Sequence, residues 1–252
     1  MAQENFADPR ALWDQRFARV LQCDNAHAYQ LWLEPWAALL DANRDQPILD
    51  LGCGSGADTR YLLARGHTVI AADLSSEGLR LTARRAPNAV VNSTSECGTT
   101  RSVHRARPWL VQLDVRSGLP FRHGSFRTIV ANLSLHYHRW IPTLTILAQV
   151  RQCLELGGIL LARFNSTRDT AYGAWGHPEV ERNCYRVNGE LKRFFDRADL
   201  ETAFASGWRV RAMHEHVVHC YTQPKTVWEV VTEKISLDSQ VHGVPGTRRP
   251  RS

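Results

Sequence analysis

Glycines at 52, 54 and 56 interrupt the chain directly after the apolar run Ile48-Leu49-Asp50-Leu51, and a helical stretch and a second apolar run ending in Ala72-Asp73 follow. A near-continuous apolar run suits a parallel strand covered on both faces. The stretch 57–64 reads as a helix, with Gly66 as its C-cap signal. Together the pieces make a strand–turn–helix–strand unit. Such a unit forces parallel strands with helices on the faces of the sheet, and places any ligand beyond the carboxyl ends of the strands.

Strand-like runs recur at 109–113, 126–133 and 158–164, with a helical pattern over 141–156 between the last two. Runs at 208–221 and 226–235 read as strands that pair antiparallel at the sheet edge, after a helix over 199–205. The count is seven strands, so the expected fold class is α/β: a doubly wound, mostly parallel sheet with an antiparallel edge strand. Upstream, Asp8-Pro9 is a helix start, and Leu12, Trp13, Phe17 and Leu21 give that helix an apolar stripe. A second helix is expected over 28–40. Asn188-Gly189 between short apolar runs signals a hairpin within 184–195. Residues 1–235 are read as one domain, with 1–45 an N-terminal helical cap, 92–108 an inserted mobile loop and 166–195 a substrate lid and hairpin. Residues 236–252 are read as a disordered basic tail.

The net charge of +6 is concentrated, because 236–252 and 92–108 each carry a net +2. The folded core therefore has no stripe for tracking phosphates, which argues against a nucleic-acid partner. Six cysteines are scattered without a C-x-x-C pair, which fits a reducing compartment. With no leader pattern and no spanning apolar segment, the expectation is a cytoplasmic protein with no membrane association. His214, His216 and His219 would not converge from one strand, so no metal is expected. Three N-x-S/T sequons are taken as chance.

Three acids sit at successive strand ends. Asp50, before the glycines, suits a cationic amine and sulfonium; Asp73 can accept two hydrogen bonds from a ribose diol; Asp114 falls where an adenine amino group would lie. Taken singly, each is also what a tight turn or a helix N-cap looks like. In order, and at adjacent strand ends, they describe a crevice for a nucleoside with a charged sulfonium tail.

Over residues 10–235 the chain resembles the class I S-adenosylmethionine-dependent methyltransferases. Asp50 to Gly56 match their glycine motif, Asp73 their ribose-binding acid and Asp114-Val115 their adenine-contacting pair. Leu119-Pro120-Phe121 with the run from Phe126 resembles their "LPF…SFD" stretch, with Arg127 where an Asp is common. Leu154 to Gly158 resembles their "L-x-P-G-G" turn, with Leu156 in place of the proline. Trp13-Asp14-Gln15-Arg16-Phe17 resembles the "WDxR" element of tellurite-resistance and thiopurine-type small-molecule methyltransferases, where it covers the cofactor. The resemblance implies a Rossmann-like fold and S-adenosylmethionine as cofactor. The expected contacts to it are Trp13, Arg16, Asp50, Gly52, Cys53, Gly54, Gly56, Asp73, Leu74, Asp114, Val115, Asn132 and Leu133.

The segment after the fourth strand, Asn132 to His138, should lie beside the transferred methyl. His136 is the candidate for orienting or deprotonating an acceptor, with packing on the cofactor as its plainer role. Tyr137, Arg163, Asn165, Tyr172, Trp175, Tyr185 and Arg193 are candidate acceptor contacts, and Lys192 beside Arg193 would favour an anionic acceptor. The reading is methyl transfer to an O, S, N or chalcogen nucleophile of a small molecule, with the oligomeric state open. The alternatives are an RNA methyltransferase and a non-catalytic binding module.

Overall fold

A computed structural model describes residues 8–22, 31–86, 90–92, 103–105 and 107–237. In chain order the elements are α1 (Pro9–Gln22), α2 (Ala37–Asp41), β1 (Ile48–Leu51), α3 (Ala57–Ala64), β2 (Val69–Asp73), α4 (Ser76–Arg85), β3 (Val90–Asn92), β4 (Val103–Arg105) and β5 (Trp109–Gln112). They continue with β6 (Phe126–Asn132), α5 (Trp140–Cys153), β7 (Leu154–Asn165), β8 (Glu179–Glu181), β9 (Cys184–Val187), β10 (Glu190–Arg193), α6 (Arg197–Ala203), β11 (Trp208–Val218) and β12 (Lys225–Lys234).

The main sheet has seven strands in the order β11-β12-β7-β6-β1-β2-β5. β5, β2, β1, β6 and β7 run parallel, and β12 is antiparallel to both β7 and β11. The reversed strand therefore lies one place in from the edge. From β1 the chain winds outward through β2 and β5, then crosses back to β6. The β1/β6 boundary is thus the switch point where such sheets open a ligand crevice. Both faces are covered: one by a cluster around Leu49, Ile129, Leu160 and Phe164, the other by Ile48, Leu62, Val130 and Leu161. That double burial explains why β1 and β6 read as continuous apolar runs.

Several boundaries differ from the sequence reading. The helix expected over 28–40 is, where described, a 3-10 turn at Glu34–Trp36 followed by the short α2. Pro35 sits in the first turn, where its missing N–H costs nothing, and bars a longer helix from running through it. α5 stops at Cys153 rather than 156. Leu154 is already extended and pairs with Phe126, a register shift follows, and Lys234 Nζ donates to Leu154 O at 2.6 Å. Residues 76–85 form α4, for which no helix is expected above, capped by Ser75 Oγ accepting from Gly78 N at 3.0 Å. β3, which ends at Asn92, pairs antiparallel with β4, so the segment expected as a loop over 92–108 is not wholly loop; 93–102 and 106 lie outside the described residues. The expected hairpin is a three-stranded sheet, β10-β9-β8. Its tight turn holds Asn188 and Gly189 at φ 51° and 85°, the twist a two-residue hairpin needs. The basic tail, from 238 on, also lies outside the described residues. Among the described residues no helix is long and apolar enough to cross a membrane.

Candidate active site

A cavity of about 620 Å³ opens at the carboxyl ends of β1, β2, β5, β6 and β7. That volume falls within the range for small-molecule sites, roughly 300–1,000 Å³. Its floor is the turn 52–56. A side chain at Gly52 could not exist there: its Cβ would stand 2.2 Å from Ser134 Cβ, and φ is +78°. The close approach is fixed by Ser134 Oγ donating to Leu51 O at 2.6 Å, which draws the segment after β6 over the segment after β1. At the same junction Leu133 holds φ at 53°, in the left-handed region, a conformation costing about 1–3 kcal/mol for a non-glycine residue.

One wall is acidic. Asp73 Oδ2 accepts from Gly54 N and Oδ1 from Ser75 N, each at 2.8 Å, so this carboxylate fastens the glycine turn while facing the cavity. Burial pushes its pKa up against those two hydrogen bonds. Asp114 also lines the cavity, but its carboxylate is clasped by Arg116, whose Nη2 lies 2.5 Å from Oδ2. That guanidinium holds Asp114 below the usual carboxylate range. Cys53, Gly56, Leu74, Val115, Asn132 and Leu133 complete this half of the lining, and desolvation raises the Cys53 thiol pKa.

α1 forms the roof. Asp14 Oδ1 accepts from Ser75 Oγ at 2.6 Å and from Glu77 N at 3.2 Å, a carboxylate docked at the start of α4 where the helix dipole favours it. This turns Trp13, Arg16 and Phe17 toward the cavity. Trp13 stacks on Phe17 and meets Tyr137 edge-on at 5.2 Å. Arg16 Nη2 reaches across to Glu190 Oε2 on β10 at 2.5 Å, so roof and hairpin are latched together over the opening.

The other half of the cavity is lined by His136, Tyr137, Arg163, Asn165, Tyr172, Lys192, Cys220, Tyr221 and Lys225. His136 is 2% exposed and its Nδ1 has no hydrogen-bond partner. Burial, then the charges of Lys225 and Lys192, drive its pKa well below the ordinary value, so the imidazole is neutral. Asn165 is 1% exposed, and neither its Nδ2 nor its Oδ1 is hydrogen-bonded. Lys225 Nζ pairs with Asp169 Oδ2 at 2.7 Å and lies 4.6 Å over the Tyr172 ring. The Tyr172 hydroxyl in turn bonds the backbone of Gln223.

Four expected contacts fall elsewhere. Asp50 lies beneath the glycine turn, 1% exposed, accepting from Thr59 Oγ1 at 2.5 Å. Desolvation, and next the neighbouring Asp58 charge, raise its pKa to about 8. Its side chain follows the strand inward, so it does not line the cavity. Asp58, on the first turn of α3, does; it accepts from Trp32 Nε1 and Asn132 Nδ2, both at 2.8 Å. Trp175 is 68% exposed and borders a separate surface hollow with Thr170 and Gly176. Tyr185 packs on Phe194. Arg193 is buried behind the site, where its Nε donates to His138 O at 3.2 Å, its N to His136 O at 2.7 Å, and its guanidinium meets Glu181. It braces the 136–138 turn from outside.

Sequence reasoning missed Asp58, Tyr221 and Lys225. The available signal for the last two was the direction of β12: an antiparallel strand brings its first residues, not its last, to the crevice. Among the described residues no group of three or more His, Cys, Asp or Glu side chains could hold a metal.

Residues 49–162 match the family profile described as a methyltransferase domain. No curated protein sequence matches the chain significantly. Among solved structures, the PH0226 protein of Pyrococcus horikoshii superposes with a TM-score of 0.63 at 17% identity, over 87% of this chain and 98% of that one. The 1,6-didemethyltoxoflavin-N1-methyltransferase of Burkholderia thailandensis, solved with 1,6-didemethyltoxoflavin and S-adenosylhomocysteine, gives 0.56 at 20% identity over 93% and 94%. The magnesium protoporphyrin IX methyltransferase of Synechocystis PCC 6803, solved with S-adenosylmethionine, gives 0.52 at 14% over 93% and 86%. The seven-stranded sheet and its crevice define the Rossmann-like methyltransferase fold. Residues 49–162 thus carry a methyltransferase domain, in a chain whose fold is similar to that of S-adenosylmethionine-dependent methyltransferases.

Proposed function

We propose that the enzyme methylates a small molecule inside the 620 Å³ cavity, with cofactor and acceptor side by side under α1 and the β9–β10 hairpin. The chemistry of the lining fits the cofactor. Asp73 offers its carboxylate to the ribose diol, and Asp114 with Val115 borders the adenine. Asp58, rather than Asp50, faces the amine and sulfonium, next to Asn132 Oδ1, a buried acceptor with no partner of its own. Trp13 and Arg16 cover this half, and Gly52, Gly54 and Gly56 give it a floor without side chains.

The observation that carries the reading is the pair of buried side chains with unpartnered polar atoms, His136 through Nδ1 and Asn165 through its whole carboxamide, that face the cavity. Buried polar groups are nearly always hydrogen-bonded, so two such side chains facing one cavity call for a partner there, a ligand or water. Bound S-adenosylmethionine supplies an electrophilic methyl on a sulfonium that leaves as a neutral thioether. The acceptor atom forms the new bond to that carbon while the sulfur–carbon bond breaks, and any proton on the acceptor passes to His136 or to water. The chain's part is mainly alignment and exclusion of water. His136, held neutral, orients the acceptor by hydrogen bonding. Its imidazolium would sit beside two lysines, so it is a weak base and serves acceptors that arrive ionised or nearly so.

We further propose that 1–45 acts as the cofactor cap, 166–195 as the acceptor lid, and 1–235 as one catalytic domain. The roofed cavity supports a small molecule over an RNA strand, and the free cysteines Cys53, Cys153, Cys184 and Cys220 support a cytoplasmic setting over an exported one. A screen of thiols, phenols, carboxylates and chalcogen oxyanions for S-adenosylhomocysteine release tests the assignment. Release with a member of these classes is expected; release with RNA alone would overturn it.

A further inference from the structure

The acceptor half of the cavity holds more positive charge than it can compensate. Lys225 is matched by Asp169 at 2.7 Å, and Arg16 is taken by Glu190. Lys192, half-buried on β10 and facing the same cavity, makes no ion pair among the described residues. Its backbone neighbour Arg193 donates to His136 O at 2.7 Å, so the strand holds Lys192 beside the acceptor-side histidine. From the opposite side, Asn165 pairs with Val227 across β7 and β12, two residues from Lys225. Two ammonium groups and an unbonded carboxamide thus converge on one end of the cavity, walled by Tyr137, Tyr172 and Tyr221.

We propose that the methyl acceptor is a planar organic acid whose carboxylate seats between Lys192 and Lys225 and accepts from Asn165 Nδ2. This rests on the methyl-transfer reading above and narrows its substrate class. The carboxylate supplies the missing countercharge and a partner for a buried amide donor that otherwise has none. Asn165 Oδ1 and His136 are left for the acceptor's own polar edge. The flanking tyrosine rings favour a flat body. Lysine pKa values support the placement: desolvation and then mutual repulsion lower Lys192, and desolvation lowers Lys225, a penalty that an anion between them relieves. A neutral acceptor would leave it in place, and a cation would add to it.

The test is calorimetric titration of the full chain, saturated with S-adenosylhomocysteine, with benzoate, salicylate and nicotinate, each against its amide. At least one acid should bind tenfold or more tighter than its amide. Lys192→Met and Lys192→Gln should erase that preference while leaving amide binding alone, and Lys192→Arg should keep most of it. Lys192 is the position to change because removing Lys225 would leave Asp169 buried without its partner. If no acid outperforms its amide on the unmodified chain, or if the preference survives in a folded Lys192→Met, the inference is overturned. Failure of the unmodified chain to bind S-adenosylhomocysteine would instead remove the methyl-transfer reading, and this inference with it.

Discussion

With the cofactor placed as proposed, the latch between roof and hairpin should set how tightly it is held, and its contribution can be worked from the geometry. Arg16 Nη2 and Glu190 Oε2 are 2.5 Å apart, with side-chain exposures of 35% and 8%. The contact is close but poorly aligned, since Glu190 Oε2 has charge compensation without a well-directed hydrogen bond. A fully exposed pair is worth about 0.2–1 kcal/mol, and breaking a buried one by removing one partner costs about 3–5 kcal/mol. With one partner solvated, Arg16→Met should cost about 1–2 kcal/mol, including the loss of the guanidinium 4.7 Å over Trp13. Because α1 covers the cofactor half, that energy biases closure of the roof. S-adenosylhomocysteine should then dissociate roughly 5–30-fold faster, the factor such an energy buys. Glu190→Gln leaves no buried charge and should have a smaller effect. The double variant should recover part of the Arg16→Met loss, because the uncompensated carboxylate is gone. Stopped-flow displacement of S-adenosylhomocysteine measures all four rates. An unchanged off-rate in Arg16→Met, or strictly additive effects, would refute a latch that acts through this pair.

Asp73→Asn should weaken S-adenosylhomocysteine binding about 10–150-fold by calorimetry, the loss of one charge-assisted hydrogen bond; undiminished affinity would remove Asp73 from the ribose site. His136→Ala should lower turnover about tenfold or more with cofactor affinity nearly unchanged, and the reverse pattern would take it off the acceptor side. Asp50 makes a pH prediction. Its folded pKa, raised from 3.8 to about 8, means the folded state holds the proton more tightly, so its stabilisation is full below about pH 4 and is lost as pH rises toward 8. Asp50→Asn should flatten urea stability across pH 4–8 and exceed the unmodified protein near pH 8; parallel curves would show that the proton is not held there.

The half of the cavity proposed for the cofactor was legible in the sequence because its signals are local. The glycine spacing, the acids that close β2 and β5, and the Asn188-Gly189 turn each act within a few residues of themselves. The exception is instructive. The acid before the glycines points into the sheet, and the one on α3, two residues after them, reaches the cavity. Strand alternation could not settle this, because β1 is buried on both faces. The acceptor half was less legible. It is assembled from the ends of β6 and β7, the hairpin and the β11–β12 turn, segments that come together only through the order of the sheet. Trp175 and Arg193 looked like site residues by composition, yet one faces solvent and the other props a loop from behind. Tyr221 and Lys225 gave no local sign. The 28–40 helix failed on one residue, Pro35.

The reversal of β12 has a consequence for how this enzyme could diversify. On the proposed reading, the strands that would carry the nucleoside contacts lie mainly on one flank of the switch point, and those that would shape the acceptor chamber mainly on the other. Residues 166–193 and 219–225 can therefore be exchanged or reshaped while the glycine turn, Asp73 and Asp114 keep their places. Grafting those two segments onto a related scaffold, with Glu190 kept opposite Arg16, should transplant acceptor preference without rebuilding the donor half.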